Sequence, residues 1–170
     1  GELDARMVVL VVGRKHPLIS PDESWLWDTA RQGIEACLRT CEQHAVTLGL
    51  ENAWSVLNRA AQQRRMVEEI RHPRLRIVYD VANATMVERP ADGLHLVAPY
   101  LVLVHLSDTD EKTWGHHRVG AGIVDFAAAA AALEAIGYAG LSILETTDRE
   151  DPDGDLVESM ARLRSLGWVP

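Results

Sequence analysis

Short apolar runs that end in a metal-ligating side chain recur along this chain, separated by segments with helical periodicity, and they constrain the fold more than any other feature. Val46 to Leu50 leads into Glu51 and Asn52, Leu75 to Tyr79 into Asp80, and Leu141 to Leu144 into Glu145. Leu101 to Val104 leads into His105. Runs without polar alternation suit strands buried on both faces of a parallel sheet. In parallel α/β folds the groups at the carboxyl ends of strands face the ligand crevice. Glu51, Asp80, His105 and Glu145 are therefore expected along one rim, and three carboxylates with one imidazole suit a divalent cation.

The remaining elements complete the alternation. Met7 to Gly13 is a valine-rich run that predicts a first strand. Ser20, Pro21 and Glu23 form a helix-start pattern, and Trp27, Ala30, Ile34, Cys37, Leu38, Cys41 and Ala45 make an apolar stripe that predicts a helix to about Ala45. A second helix is expected over Ser55 to Arg71, stopped by His72-Pro73, with His72 capping its last carbonyls. Strands follow at Arg74 to Asp80 and Tyr100 to Ser107, with a loop or short helix after Asp80 and a helical turn from Gly93 before Pro99. Asp125 is positioned to cap an alanine-rich helix, Phe126 to Ile136, that Gly137 ends. After the strand Leu141 to Glu145, Asp155 and Glu158 set the capping spacing for a last helix to Leu166. Strands alternating with helices imply an α/β protein with a parallel sheet and right-handed crossovers.

With 170 residues and 47% hydrophobic content, the chain is expected to be one globular domain, residues 1–170. A net charge of −8 without a basic cluster to offset it gives nucleic acid no electrostatic footprint. No run approaches the ~20 apolar residues that cross a bilayer, and the amino end lacks a signal-peptide pattern, so a cytoplasmic protein without a membrane partner is expected. Cys37 and Cys41 are expected to be reduced and packed. Arg14, Lys15 and His16 form a small positive cluster that suits a solvated loop.

The segments GLEN (Gly49 to Asn52), YDVAN (Tyr79 to Asn83), VHLSD (Val104 to Asp108), HHRVGAGIVD (His116 to Asp125) and GYAGLSILE (Gly137 to Glu145) occur in this order. Together they resemble the xylose isomerase-like TIM barrels of the sugar phosphate isomerase/epimerase family. The resemblance implies a (β/α)₈ barrel with a divalent metal on its C-terminal rim, held by Glu51, Asp80, His105 and Glu145. It also implies acid/base roles for Glu51 and Glu145. A family barrel has eight strands in ~250 residues. The five strands here match strands four to eight, a partial (β/α)₈ barrel.

The implied function is metal-dependent isomerisation or epimerisation of a sugar or sugar phosphate by proton transfer beside a carbonyl. An enolate-forming dehydratase, or a non-catalytic assembly module that keeps the rim, is the alternative. The oxygen-rich ligand set favours Mn²⁺ or Mg²⁺ over Co²⁺ or Zn²⁺. Asn83, His116 and Arg118 are the candidate substrate-binding residues. Two positions depart from the ketose 3-epimerase pattern: Asn83 stands where those enzymes carry a histidine, and Glu111 where they carry an arginine. Trp114 stands where the multinuclear type IV endonucleases carry an aspartate. A five-stranded part of a barrel has two unpaired edges, which predicts either a fragment of a longer chain or a homo-oligomer.

Overall fold

The computed structural model describes residues 4–13, 18, 22–53, 56–147 and 150–168. Five strands, β1 (Met7–Val11), β2 (Thr47–Glu51), β3 (Leu75–Asp80), β4 (Leu101–Leu106) and β5 (Leu141–Leu144), form one sheet in sequential order. All four pairings are parallel. Helices connect the strands: α1 (Glu23–Gln43), α2 (Ala60–Ile70), α3 (Val81–Thr85), α4 (Pro90–Val97), α5 (Phe126–Ala135) and α6 (Pro152–Ser165). The result is an α/β half-barrel, with the parallel sheet that the alternation predicted and the partial (β/α)₈ architecture that the resemblance implied.

Strand alternation separates core from rim. Leu48 and Leu50, Leu75, Ile77 and Tyr79, and Val104 and Leu106 point outward and are almost fully buried. They join one core with Ile34 and Leu38 of α1, Met66 and Val67 of α2, and Ala129 and Ala132 of α5. Glu51, Asp80 and His105 lie on the opposite, inner face, because each is an odd number of residues from those core positions. Tight packing of α5 follows from its alanines, which let the helix approach closely. Asp125 caps α5 by accepting from the Ala128 N–H at 2.9 Å, and Gly137, at φ +65°, closes it.

Several boundaries differ from the sequence reading. The α1 start predicted at Ser20 and Pro21 falls outside the described residues, as do Arg14, Lys15 and His16; the helix begins at Glu23, where the Asp22 carboxylate accepts from the Ser24 N–H at 2.7 Å. The second helix begins at Ala60, after a turn over residues 56–59, and the start predicted at Ser55 lies outside the described residues. Pro90 opens a full helix, α4, where only a turn from Gly93 was expected, since proline at the first helical position forfeits no hydrogen bond. Asp151, not Asp155, caps α6, accepting from the Gly154 N–H at 3.1 Å. Arg71, in the left-handed region, ends α2, and His72 Nδ1 accepts from the Arg74 N–H instead of serving the helix carbonyls. Cys41 is buried but Cys37 is exposed, and both are free thiols.

The outer strands show the open edges that the strand count predicted, although each run taken alone suits a strand buried on both faces: Val8, Val9 and Val11 of β1 are 49%, 38% and 39% exposed, and Leu141 and Ile143 of β5 are 72% and 46% exposed. Both are edge strands without a neighbour on one side. Among the described residues no helix is long and apolar enough to cross a membrane.

Candidate metal centre

Each ligand-type side chain reaches the rim by the same local device. Glu51 and Asp80 are the last residues of β2 and β3, and His105 is the penultimate residue of β4. Glu145 directly follows β5, and its N–H still donates to the Leu106 carbonyl at 3.0 Å, so the ladder extends to the ligand position. The register places Asp80 opposite His105. One ligand atom from each of Glu51, Asp80, His105 and Glu145 lies within 4.8 Å of the others. The four residues that the sequence set along one rim thus converge on one point.

The cluster is held from behind. The Asn52 carboxamide spans to β3: its Nδ2 donates to the Asp80 carbonyl at 2.9 Å and its Oδ1 accepts from the Asp80 N–H at 2.7 Å. A side chain thereby stands in for the next rung of the β2/β3 ladder and fixes the two ligand-bearing strand ends relative to each other. Gln63, fully buried, reaches from α2 to donate to the carbonyls of Leu50 and Val78. Asp80 also caps α3, its Oδ1 accepting from the Asn83 N–H at 2.7 Å, and this leaves Oδ2 for the site.

Electrostatically the cluster is unbalanced. His105 Nδ1 lies 3.0 Å from Glu51 Oε1 and 2.8 Å from Glu145 Oε2, although one nitrogen can present at most one hydrogen to the two carboxylates. Asp80 Oδ2 and Glu145 Oε2 are buried and lack an aligned hydrogen bond. Burial, reinforced by Glu51 and Glu145, pushes the Asp80 carboxyl up to about 8, against the Asn83 N–H and His105, which pull it down. For His105, burial disfavours the imidazolium, but contact with Glu145 and Glu51 prevails and raises its pKa to about 10. The neighbouring imidazole holds Glu145 below the usual carboxylate range, against burial. A buried Asp80 oxygen without a hydrogen bond, beside a nitrogen contested by two acids, is what a cation would resolve. The donor set therefore fits a divalent ion.

Around this cluster lie the other sequence candidates. The His116 ring shares a hydrogen bond with Ser107 Oγ at 2.9 Å, and its Nδ1 is 3.7 Å from Asp80 Oδ2. Asn83 is buried at the start of α3, and its Oδ1 accepts from the Trp114 indole N–H. Arg118 is turned to α6, where it pairs with Glu158 at 2.9 Å and with Asp155 at 3.8 Å. Sequence reasoning missed Asn52, Ser107 and Asp108. Asp108 is 1% exposed, and its carboxylate accepts from the N–H groups of Thr109, Val124, Gly120 and Gly122 at 2.9 to 3.0 Å. GLEN and VHLSD contain all three, but Asn52 and Asp108 bind mainly backbone groups far along the chain and Ser107 binds the ring of His116.

Comparison with known proteins agrees with this architecture. A solved D-tagatose 3-epimerase-like protein superposes with a TM-score of 0.83 at 24% identity, over 97% of this chain and 63% of that one. The 3-keto-D-glucoside 4-epimerase YcjR of E. coli gives 0.77 at 24% identity, over 94% of this chain and 63% of that one. At such identity the likeness speaks for the fold. An uncharacterized protein of Methanocaldococcus jannaschii, MJ1311, is 26% identical over 157 residues, which are 88% of this chain and 54% of that protein. The chain thus spans about half to two thirds of the length of these relatives. The family model described as the xylose isomerase-like TIM barrel matches residues 1–166, and the chain belongs to that family.

Proposed function

We propose that this chain carries the metal-binding part of an enzyme that isomerises or epimerises a small sugar, free or phosphorylated, by moving a proton beside a carbonyl. The observation that carries this reading is the convergence of Glu51, Asp80, His105 and Glu145, with the buried Asp80 Oδ2 left without a hydrogen bond and one His105 nitrogen contested by two carboxylates. Those four side chains would hold a divalent cation, with Mn²⁺ or Mg²⁺ favoured by the oxygen-rich set and Co²⁺ or Zn²⁺ as the softer options. Bound there, the cation would supply Lewis-acid polarisation of the substrate's carbonyl and hydroxyl oxygens. Glu51 and Glu145 serve as the proton-transfer pair, one removing the proton next to the carbonyl and the other returning one.

His116 and Asn83 flank the cluster and are the groups that would touch substrate hydroxyls. An anionic substrate group would have to compete with Glu158 and Asp155 for Arg118. The solved relatives named as sugar epimerases support the substrate class. Asn83 and Glu111 differ from the residues expected of a ketose 3-epimerase, which argues for a different sugar or a different carbon. Free Cys37 and Cys41 suit a cytoplasmic setting.

This part would act within a closed assembly, in which either further βα units of a longer polypeptide or a second copy of the chain covers the edges at β1 and β5. The test is to titrate Mn²⁺ into the protein and follow deuterium incorporation from solvent into a panel of ketoses and aldoses by NMR. Metal-dependent exchange at a carbon beside the carbonyl is expected. Tight metal binding without exchange in any sugar, by an assembly whose size by light scattering corresponds to a closed barrel, would refute the catalytic reading.

A further inference from the structure

We infer that Asp108 is a positioning residue, whose carboxylate fastens the 109–124 segment so that His116 is held beside the metal-binding cluster. Both oxygens are filled by backbone donors: Thr109 and Val124 on Oδ1, Gly120 and Gly122 on Oδ2. These donors come from the two ends of one segment, so a single side chain closes it into a ring. The backbone of Asp108 closes a second, smaller ring, since its N–H donates to the His117 carbonyl and its carbonyl accepts from the His117 N–H, both at 2.8 Å. His116 is thereby fixed next to a two-rung bridge anchored three residues beyond His105. From the other side the Thr147 N–H, just past Glu145, donates to the His116 carbonyl at 2.9 Å.

The chain spends a buried acid and a glycine on this arrangement. A Cβ at Gly122 would lie 2.1 Å from the Thr109 carbonyl oxygen and 2.6 Å from Asp108 Oδ1, so only glycine lets the segment close onto the carboxylate. None of the four donors carries a ligand side chain, and the cation ligands themselves sit on β2, β3, β4 and the end of β5. Asp108 therefore acts on His116 and not on the ligand set, which separates positioning from general structural support.

The test uses the Co²⁺-loaded protein, with the paramagnetically shifted His116 ring proton assigned by its loss in His116→Gln. In Asp108→Asn the amide group would face the N–H donors of one oxygen. Co²⁺ affinity is expected to stay within about threefold, while the His116 signal returns toward its diamagnetic position and the amides of Gly120, Gly122 and Val124 exchange about tenfold faster or more. The kinetic arm rests on the proposed proton-transfer function: kcat for solvent exchange should fall on the order of 100-fold with KM little changed, as for a misplaced site group. An unmoved His116 signal, or Co²⁺ affinity lost in step with it, overturns the assignment. If Asp108→Asn does not fold, Gly122→Ala, which pushes the segment off an intact carboxylate, should give the same pattern; failure of both to fold would make Asp108 merely structural and also overturn it. A wild type inactive on every sugar would sink the proposed function alone, because the Co²⁺ signal still decides where His116 sits.

Discussion

The middle and the margins of this sheet are built from similar residues and have opposite fates. Val78 and Leu103, on the inner face of β3 and β4, are 0% and 5% exposed, whereas Val9, Val11, Leu141 and Ile143 on the same face of β1 and β5 stand open. Register pairs Leu103 with Leu141 and His105 with Ile143, so two leucines one strand apart differ by most of their accessible surface. Composition does not distinguish them; the presence of a neighbour on each side does. The rim cuts across this divide, since Asp80 and His105 stand on the buried strands while Glu145 follows the exposed one.

The largest expected effect is at that exposed end. Glu145→Gln keeps the shape of the side chain but cannot accept a proton, so solvent-deuterium exchange into substrate should fall by about 10²- to 10⁴-fold, with the circular dichroism spectrum unchanged. Exchange at the wild-type rate would remove Glu145 from the proton-transfer pair. His105→Ala should lose the metal first, measured as Mn²⁺ affinity by electron paramagnetic resonance. Next in size, Leu103→Ala should destabilise the fold by about 2 to 5 kcal/mol in urea denaturation, the range for truncating a buried leucine. Leu141→Ala in the same assay should change stability by less than about 0.5 kcal/mol if the chain is alone. A loss at Leu141 that approaches the one at Leu103, and that grows with protein concentration, would mean that a partner strand covers β5. In that case light scattering at micromolar concentration should report more than one copy.

Much of this was legible in the sequence, for a physical reason. A strand that ends at a functional rim must be apolar along its length and polar at its tip, and that pattern is local, so Glu51, Asp80, His105 and Glu145 could be picked out in order. The cap of α5 at Asp125 was equally local. Asp108 and Asn52 were not legible, because all their partners but Thr109 are backbone groups 12 to 28 residues away and any polar side chain in a loop looks the same from sequence. Cys37 was misplaced because a stripe at three- and four-residue spacing is wider than the face α1 buries, which is centred on Ile34, Leu38 and Cys41. The openness of β1 and β5 was legible from the strand count and not from their residues: these are the residues of a covered strand, but five strands of an eight-stranded barrel leave two edges unpaired.

The ladder order gives the last ligand a second role. From β2 onward each successive βα unit delivers one ligand-type side chain, and the final one, Glu145, follows a four-residue strand with a single neighbour among the described strands, the shortest strand of the sheet. A cation that needs all four side chains therefore ties the least secure strand to the three most secure. Saturation at 100 times the dissociation constant would be worth about 2.7 kcal/mol against every opening that loses the ion, and the undocking of β5 is the smallest such opening. Amides of Ser142 to Glu145 should consequently slow their hydrogen exchange on metal addition. An ion held there would be a clasp as well as a reagent, and chelation would unfasten the margin before it disturbs the centre.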